Sequence, residues 1–76
     1  MLVPEQIERV TPRQLQVLGY ICSGMSYAET ARSLGISIHT VHNHIKHLRE
    51  ILSARSNAHV VALLWQASRY YLMGRN

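Results

Sequence analysis

His39, His42, Asn43, Lys46 and His47 follow one another at short intervals, several of them three or four residues apart. Residues at that spacing are neighbours on an α-helix surface, so a helix would bring these side chains together. An Asn amide can bond both N6 and N7 of adenine, and a Lys ammonium can reach guanine O6 or N7, or a phosphate. Imidazoles donate, accept, or carry charge in mild acid. Two His three residues apart can also hold a metal. Here His39 and His42 face differently from His44 and His47, and no Cys or carboxylate completes a set. No metal and no other cofactor is expected. Cys22 with a His would imitate a thiol hydrolase, but Cys22 falls among apolar residues at helical spacing. There is no phosphate-binding glycine loop and no carboxylate pair, so catalysis is not expected either. The chemistry left is recognition of a polyanion.

Such a set of side chains needs a helix beneath it. Ile38, Val41, Ile45, Leu48 and Leu52 supply the apolar stripe of one, over about residues 38–52. His39, Asn43, Lys46 and Glu50 lie opposite, with His42 and His47 on the flanks. His44 sits at the edge of the stripe, and is expected to be buried and hydrogen-bonded to a neighbouring segment. Direct DNA contact is the alternative for His44. Just upstream, Ser26 and Glu29 form a capping box for a short helix over about residues 26–34. Gly35 suits a left-handed turn, Ile36 would plug it, and Ser37 caps the next helix. Two capped helices around a glycine, the second presenting polar groups, is the arrangement that enters a DNA major groove. For Asn43 and Lys46 the plainer alternative is a solvated surface role. Arg32, Arg49 and Arg55 could touch phosphates or stay solvated or internally paired.

Two further helices complete the expected architecture. Thr11, Pro12 and Gln14 give a capping box and a favourable first residue for a helix over about 12–23. Leu15, Leu18, Ile21 and Cys22 are its expected inner face. Asn57 is the expected cap of a helix over about 57–73 that carries two apolar stripes. Val61, Leu64, Trp65, Ser68 and Leu72 form one. Val60, Leu63, Ala67, Tyr70 and Tyr71 form the other, and are the expected homodimer contact, since one small core needs only one stripe and interfaces favour aromatic residues. The prediction is an all-α, four-helix bundle with a helix-turn-helix over residues 11–73, a lead-in over 1–10 without clear periodicity, and a frayed end over 74–76.

Composition agrees with this picture. The chain has 76 residues, which makes one small domain; a domain of that size buries only about 60% of its unfolded surface, so a second subunit would help it. Lys and Arg number 8 against 4 for Asp and Glu, a net charge of +4 that suits a nucleic acid. Apolar residues make up 47%, too many for a disordered chain. A single cysteine excludes an internal disulfide. Neither a signal peptide nor a run of ~20 apolar residues is present, so no membrane association and a cytoplasmic location are expected.

The ordered motifs resemble the LuxR/FixJ-type (GerE-like) helix-turn-helix of bacterial transcription regulators, over about Val10 to Ser68. The family's opening segment stands here as Val10-Thr-Pro-Arg-Gln-Leu-Gln-Val-Leu18. Its Gly-x-Ser-x-x-Glu-Ile-Ala stands as Gly24-Met-Ser-Tyr-Ala-Glu-Thr-Ala31, and its Leu-Gly-Ile-Ser-x-x-Thr-Val-x-x-His-Val as Leu34-Gly-Ile-Ser-Ile-His-Thr-Val-His-Asn-His-Ile45. The resemblance implies that the third helix reads the major groove and the fourth makes a two-fold dimer contact. It places His42, Asn43 and Lys46 at base edges, and Arg13 and Thr40 near phosphates. His39, His47 and Arg49 are the further candidates for the DNA backbone. Gln14, Ser53 and Asn57 depart from the usual Glu, Gly and Arg of the family. Double-stranded DNA and a second copy of the chain are thus the expected partners, with RNA polymerase a further one. A sigma-factor region 4-like module shares part of the pattern, and a protein-interaction module using the fourth helix is the alternative from a different class.

Overall fold

The structure, a computed structural model, describes the backbone of residues 4–73 and the side chains of residues 5–68. It is all-α, with α1 at Pro4–Arg9, α2 at Pro12–Cys22, α3 at Tyr27–Leu34, α4 at Ile38–Leu52 and α5 at Asn57–Met73. The four expected helices are present, and α1 is an addition. Pro4 does not prevent α1, because it occupies the first helical position, where its missing N–H costs nothing and its fixed φ fits. Glu5 in the first turn and Arg9 in the last complement the helix dipole. Gln6 Nε2 donates to the Ile51 carbonyl at 3.4 Å, and Val10 packs against the core, so this short helix is docked rather than a free lead-in. The expected frayed end at 74–76 lies outside the described residues.

Caps account for the boundaries of α2 and α3. Thr11 Oγ1 accepts from Gln14 N–H at 3.1 Å, and Gln14 Oε1 accepts from Thr11 N–H at 2.9 Å. Gln14 is only 6% exposed. A neutral amide closes this box at less desolvation cost than a carboxylate would, which gives a physical reason for Gln here. Ser26 Oγ accepts from Glu29 N–H at 3.0 Å, and Glu29 Oε1 accepts from Ser26 N–H at 2.8 Å. Gly35 then ends α3 in the left-handed region, φ 67°, and Ile36 N–H returns to the Ala31 carbonyl at 3.0 Å. Ile36 packs on the core, as a plug in that turn should.

The later caps are less orthodox. Ser53 ends α4 at φ 53°, a left-handed conformation that costs an L-residue about 1–2 kcal/mol. The hydrogen bond from Ala54 N–H to the Arg49 carbonyl, 2.9 Å, closes this turn. At the start of α5 the cap is Ser56 and not Asn57. Ser56 Oγ accepts from His59 N–H at 3.0 Å, while His59 Nδ1 accepts from Arg55 N–H at 3.0 Å. The Asn57 side chain is thereby free for tertiary contacts.

Val17, Leu18, Ala31, Val41, Ile45, Leu48, Leu52 and Val60 form the buried core. Four of these belong to α4, which packs against each of the other four helices; α2 also packs on α3. Three expectations about inward faces are corrected. On α2 the inner residues are Gln14, Val17 and Leu18, with Ile21 packed behind them, while Leu15 and Cys22 are exposed. On α4, Ile38 is exposed, because it sits in the first turn beyond the reach of the core. On α5 the stripes are reversed. Val60 is 1% exposed and belongs to the core, with Leu63 and Leu64 packed against it, whereas Trp65 is 63% exposed. Val60 therefore cannot serve as a dimer contact, and Leu63 and Ala67 are half-buried beside it. Tyr70 and Tyr71 lie outside the described side chains.

An open apolar groove results. Leu15, Leu18, Gly19 and Cys22 of α2 line one side, and Val61, Leu64, Trp65 and Ser68 of α5 the other. Each set has the spacing i, i+3, i+4, i+7. Each is also the inward set of its helix advanced by one residue, about 100° around the axis. The two helices pack on α4 but not directly on each other among the described residues, so these adjacent faces stay uncovered. No helix of the described residues is long and apolar enough to cross a membrane.

Two measurements probe the caps. Ser53→Gly is expected to raise unfolding free energy by about 1 kcal/mol, since glycine accepts positive φ without the side-chain penalty; denaturant unfolding that shows a loss would contradict the strain. The Glu29 carboxyl is held below its ordinary value of 4.5, first by the Ser26 backbone N–H, then by the Ser26 side chain, with Arg32 adding a smaller attraction. A lowered folded-state value means that Glu29 stabilises the fold above the ordinary value, and that this contribution is lost as pH falls through the lowered one. The stability difference between wild type and Glu29→Gln should therefore shrink toward zero in acid. A difference that stays constant from neutral to strongly acidic pH rejects the assignment.

Candidate nucleic-acid interface

The outward face of α4 is set by what the helix buries. Val41, Ile45, Leu48 and Leu52 point into the core. His39, His42, Lys46 and His47 on the other side are exposed, and Asn43 is half-buried. The structure thus brings four candidate base or phosphate ligands onto one open helix surface, with Asn43 among them but half-buried.

The N-terminus of α4 is built for a defined start. Ser37 is extended, φ −76° and ψ 155°, and its Oγ accepts from Thr40 N–H at 3.0 Å. The Ser37 and Thr40 hydroxyls are also hydrogen-bonded to each other at 2.9 Å. Thr40 is half-buried, so its hydroxyl already has a partner within the cap. The first N–H groups of a helix leave bonding capacity pointing outward and favour anions such as phosphate.

Other expected phosphate ligands have internal bonds. Arg13 Nη1 donates to Gln16 Oε1 at 2.8 Å on the surface of α2. Arg49 is half-buried, and its Nη1 donates to Asn57 Oδ1 at 3.1 Å. A guanidinium has five donors, so this bond leaves Arg49 others, but its position is set from inside the protein. Arg32 and Arg55 are exposed. His44 is half-buried as its place at the edge of the stripe suggests, yet no hydrogen bond joins it to a neighbouring segment among the described residues.

Sequence reasoning missed Tyr27. This residue opens α3, and its ring lies against the His42 imidazole, with centroids 4.5 Å apart and planes tilted by 47°. Its hydroxyl accepts from Asn57 Nδ2 at 2.8 Å. A tyrosine directly after an N-cap serine is the only signal that could have drawn notice, and by itself it predicts no partner. Among the described residues no group of three or more His, Cys, Asp or Glu is placed to hold a metal.

A core-seated helix with this outward face, preceded by a capped helix and a glycine turn, matches a known family. The sequence pattern of the bacterial regulatory proteins of the luxR family (GerE) fits residues 8–64, three quarters of the chain. The chain belongs to this family. No curated protein and no solved structure matched in the two other comparisons. The luxR-family match spans α2, α3, α4 and the opening of α5, and so includes both helices of the helix-turn-helix and the helix that follows them. Domains of the luxR family are DNA-binding modules of transcription regulators, and they act by binding and not by catalysis.

Proposed function

We propose that this chain is a sequence-specific DNA-binding transcription regulator that places α4 in the major groove. The observation that carries the reading is the division of α4: four buried apolar residues on one side, and His39, His42, Lys46 and His47 exposed on the other. In this reading His42, Asn43 and Lys46 meet base edges. Thr40, at the helix start, and His39, His47, Arg13 and Arg49 meet phosphates. Contacts to base edges specify, while phosphate contacts position the domain. The protein would act where bacterial DNA is, in the cytoplasm or nucleoid.

The regulator is proposed to bind as a homodimer, so that two copies of α4 reach half-sites about 34–36 Å apart, one turn of DNA. The supporting surface is the exposed side of α5, with Trp65 and Val61, and not the stripe through Val60. Leu15 extends this apolar surface across the groove. Large exposed apolar residues that lie together mark interaction sites more often than scattered ones do. The same surface supports a second reading, a heteromeric partner seated on α5 in place of the second copy.

Random-site DNA selection tests the first claim. Wild type should enrich one motif, and Lys46→Ala should lose discrimination at one base pair by about 1–3 kcal/mol, roughly five- to 150-fold. A wild-type selection without a motif would count against DNA reading by α4. Sedimentation tests the second claim. Wild type should be dimeric at micromolar concentration, and Trp65→Glu monomeric with its thermal unfolding little changed, because this side chain is mostly outside the core. A strictly monomeric wild type shifts the surface to the heteromeric reading.

A further inference from the structure

Four side chains from three helices form a closed chain of contacts beneath the outer face of α4. His42 meets the Tyr27 ring at 4.5 Å between centroids. The Tyr27 hydroxyl accepts from Asn57 Nδ2 at 2.8 Å, and Asn57 Oδ1 accepts from Arg49 Nη1 at 3.1 Å. His42 and Arg49 are seven residues apart, two turns of the same helix. The chain of contacts therefore leaves α4, passes through the first residue of α3 and the first residue of α5, and returns to α4.

We propose that Tyr27 is a positioning residue for DNA specificity: its ring orients the His42 imidazole for a base edge, and Asn57, braced by Arg49, holds Tyr27 in place. The proposal rests on the reading of α4 as the base-reading helix. An exposed imidazole samples several rotamers, and restricting them on binding costs free energy. Here the ring already has a packing partner before DNA arrives. The centroid separation, 4.5 Å, is at the close end of the range that aromatic pairs prefer. Tyr27 itself has little freedom. It is half-buried, packs against the core, and directly follows Ser26, whose two cap bonds fix the backbone. Asn57 satisfies both ends of its amide in the chain, which leaves it one favoured orientation.

The test compares affinity for the selected DNA site with affinity for the same site altered at one base pair, the pair at which His42→Ala loses selectivity. Tyr27→Leu, which keeps bulk but removes the ring, should lower that ratio by about two- to tenfold, the worth of an aromatic pair. Tyr27→Phe, which keeps the ring but loses the bond from Asn57, should restore part of it, falling between Tyr27→Leu and wild type. Neither should change the ratio at the pair read by Lys46. In a His42→Ala background Tyr27→Leu should have no further effect on selectivity. A wild-type ratio in Tyr27→Leu, an equal loss at both base pairs, or a motif unchanged by His42→Ala each overturns the proposal while leaving DNA binding intact. A wild type that selects no motif removes the DNA reading and this proposal with it. Should Tyr27→Leu not fold, NMR of the free wild-type protein supplies an independent readout. Ring-current shifts on the His42 imidazole protons and contacts to the Tyr27 ring are expected, and free-histidine shifts without such contacts overturn it.

Discussion

The burial of one side of α4 is the constraint on which the rest depends. Val41, Ile45, Leu48 and Leu52 are the buried side of the helix that packs against every other one, and a small domain has little other apolar area to spend on cohesion. The residues that hold the protein together and those proposed to touch DNA therefore lie on the same 15-residue helix. Their angular separation follows from helix geometry, since a stripe at i, i+4, i+7, i+11 leaves the opposite side free. Rotating α4 to adjust its outer face would expose the core, so the orientation of His39, His42, Lys46 and His47 is as firm as the hydrophobic packing beneath them.

Both ends of α4 are fixed by backbone devices that do not use its outer face. Gly35 turns the chain into α4 at φ 67°, and Ser53 turns it out at φ 53°. The second turn lacks the residue best suited to it, yet adopts the same left-handed region. The bond from Ala54 N–H to the Arg49 carbonyl and the half-buried Ala54 packed on the core hold it there. Tertiary packing thus outweighs local preference at Ser53, whereas at Gly35 the two agree. The departure at Asn57 has a different effect. Ser56 and His59 cap α5, so the Asn57 amide can bridge Tyr27 and Arg49.

Features governed by near neighbours were legible in the sequence. Both capping boxes, the glycine turn, the start of α4 and, apart from Ile38, its apolar stripe are set by residues a few positions apart, and each is where the spacing predicts. The short helix α1 was not legible. Its Pro4–Arg9 segment has no stripe of its own, and its dock, including the bond from Gln6 to Ile51, crosses 45 residues. The inward faces of α2 and α5 were misread for a related reason. Both helices carry two adjacent apolar stripes one residue out of phase, and periodicity shows that a stripe exists without showing which way it points. Only the common packing on α4 selects Val17 over Leu15 and Val60 over Val61. The outward face of α4 was legible because the helix has one apolar stripe, not two.

The same distinction explains why Tyr27 could not be found from its surroundings in the chain. Its partners are 15, 22 and 30 residues away, if Arg49 is counted through Asn57. Each link alone is ordinary: a tilted ring pair, an amide on a hydroxyl, a guanidinium on an amide. Their consequence comes from closure. A pair of contacts ending on α5 would only join two helices, but a chain that begins and ends on one side of α4 ties that side to α3 and α5 at two levels, so turning α4 about its axis would disturb both the His42–Tyr27 and the Arg49–Asn57 contact. Polar contacts at the rim of the core thus reinforce what Val41, Ile45 and Leu48 establish at its centre, and they do so through His42, a residue of the outer face itself.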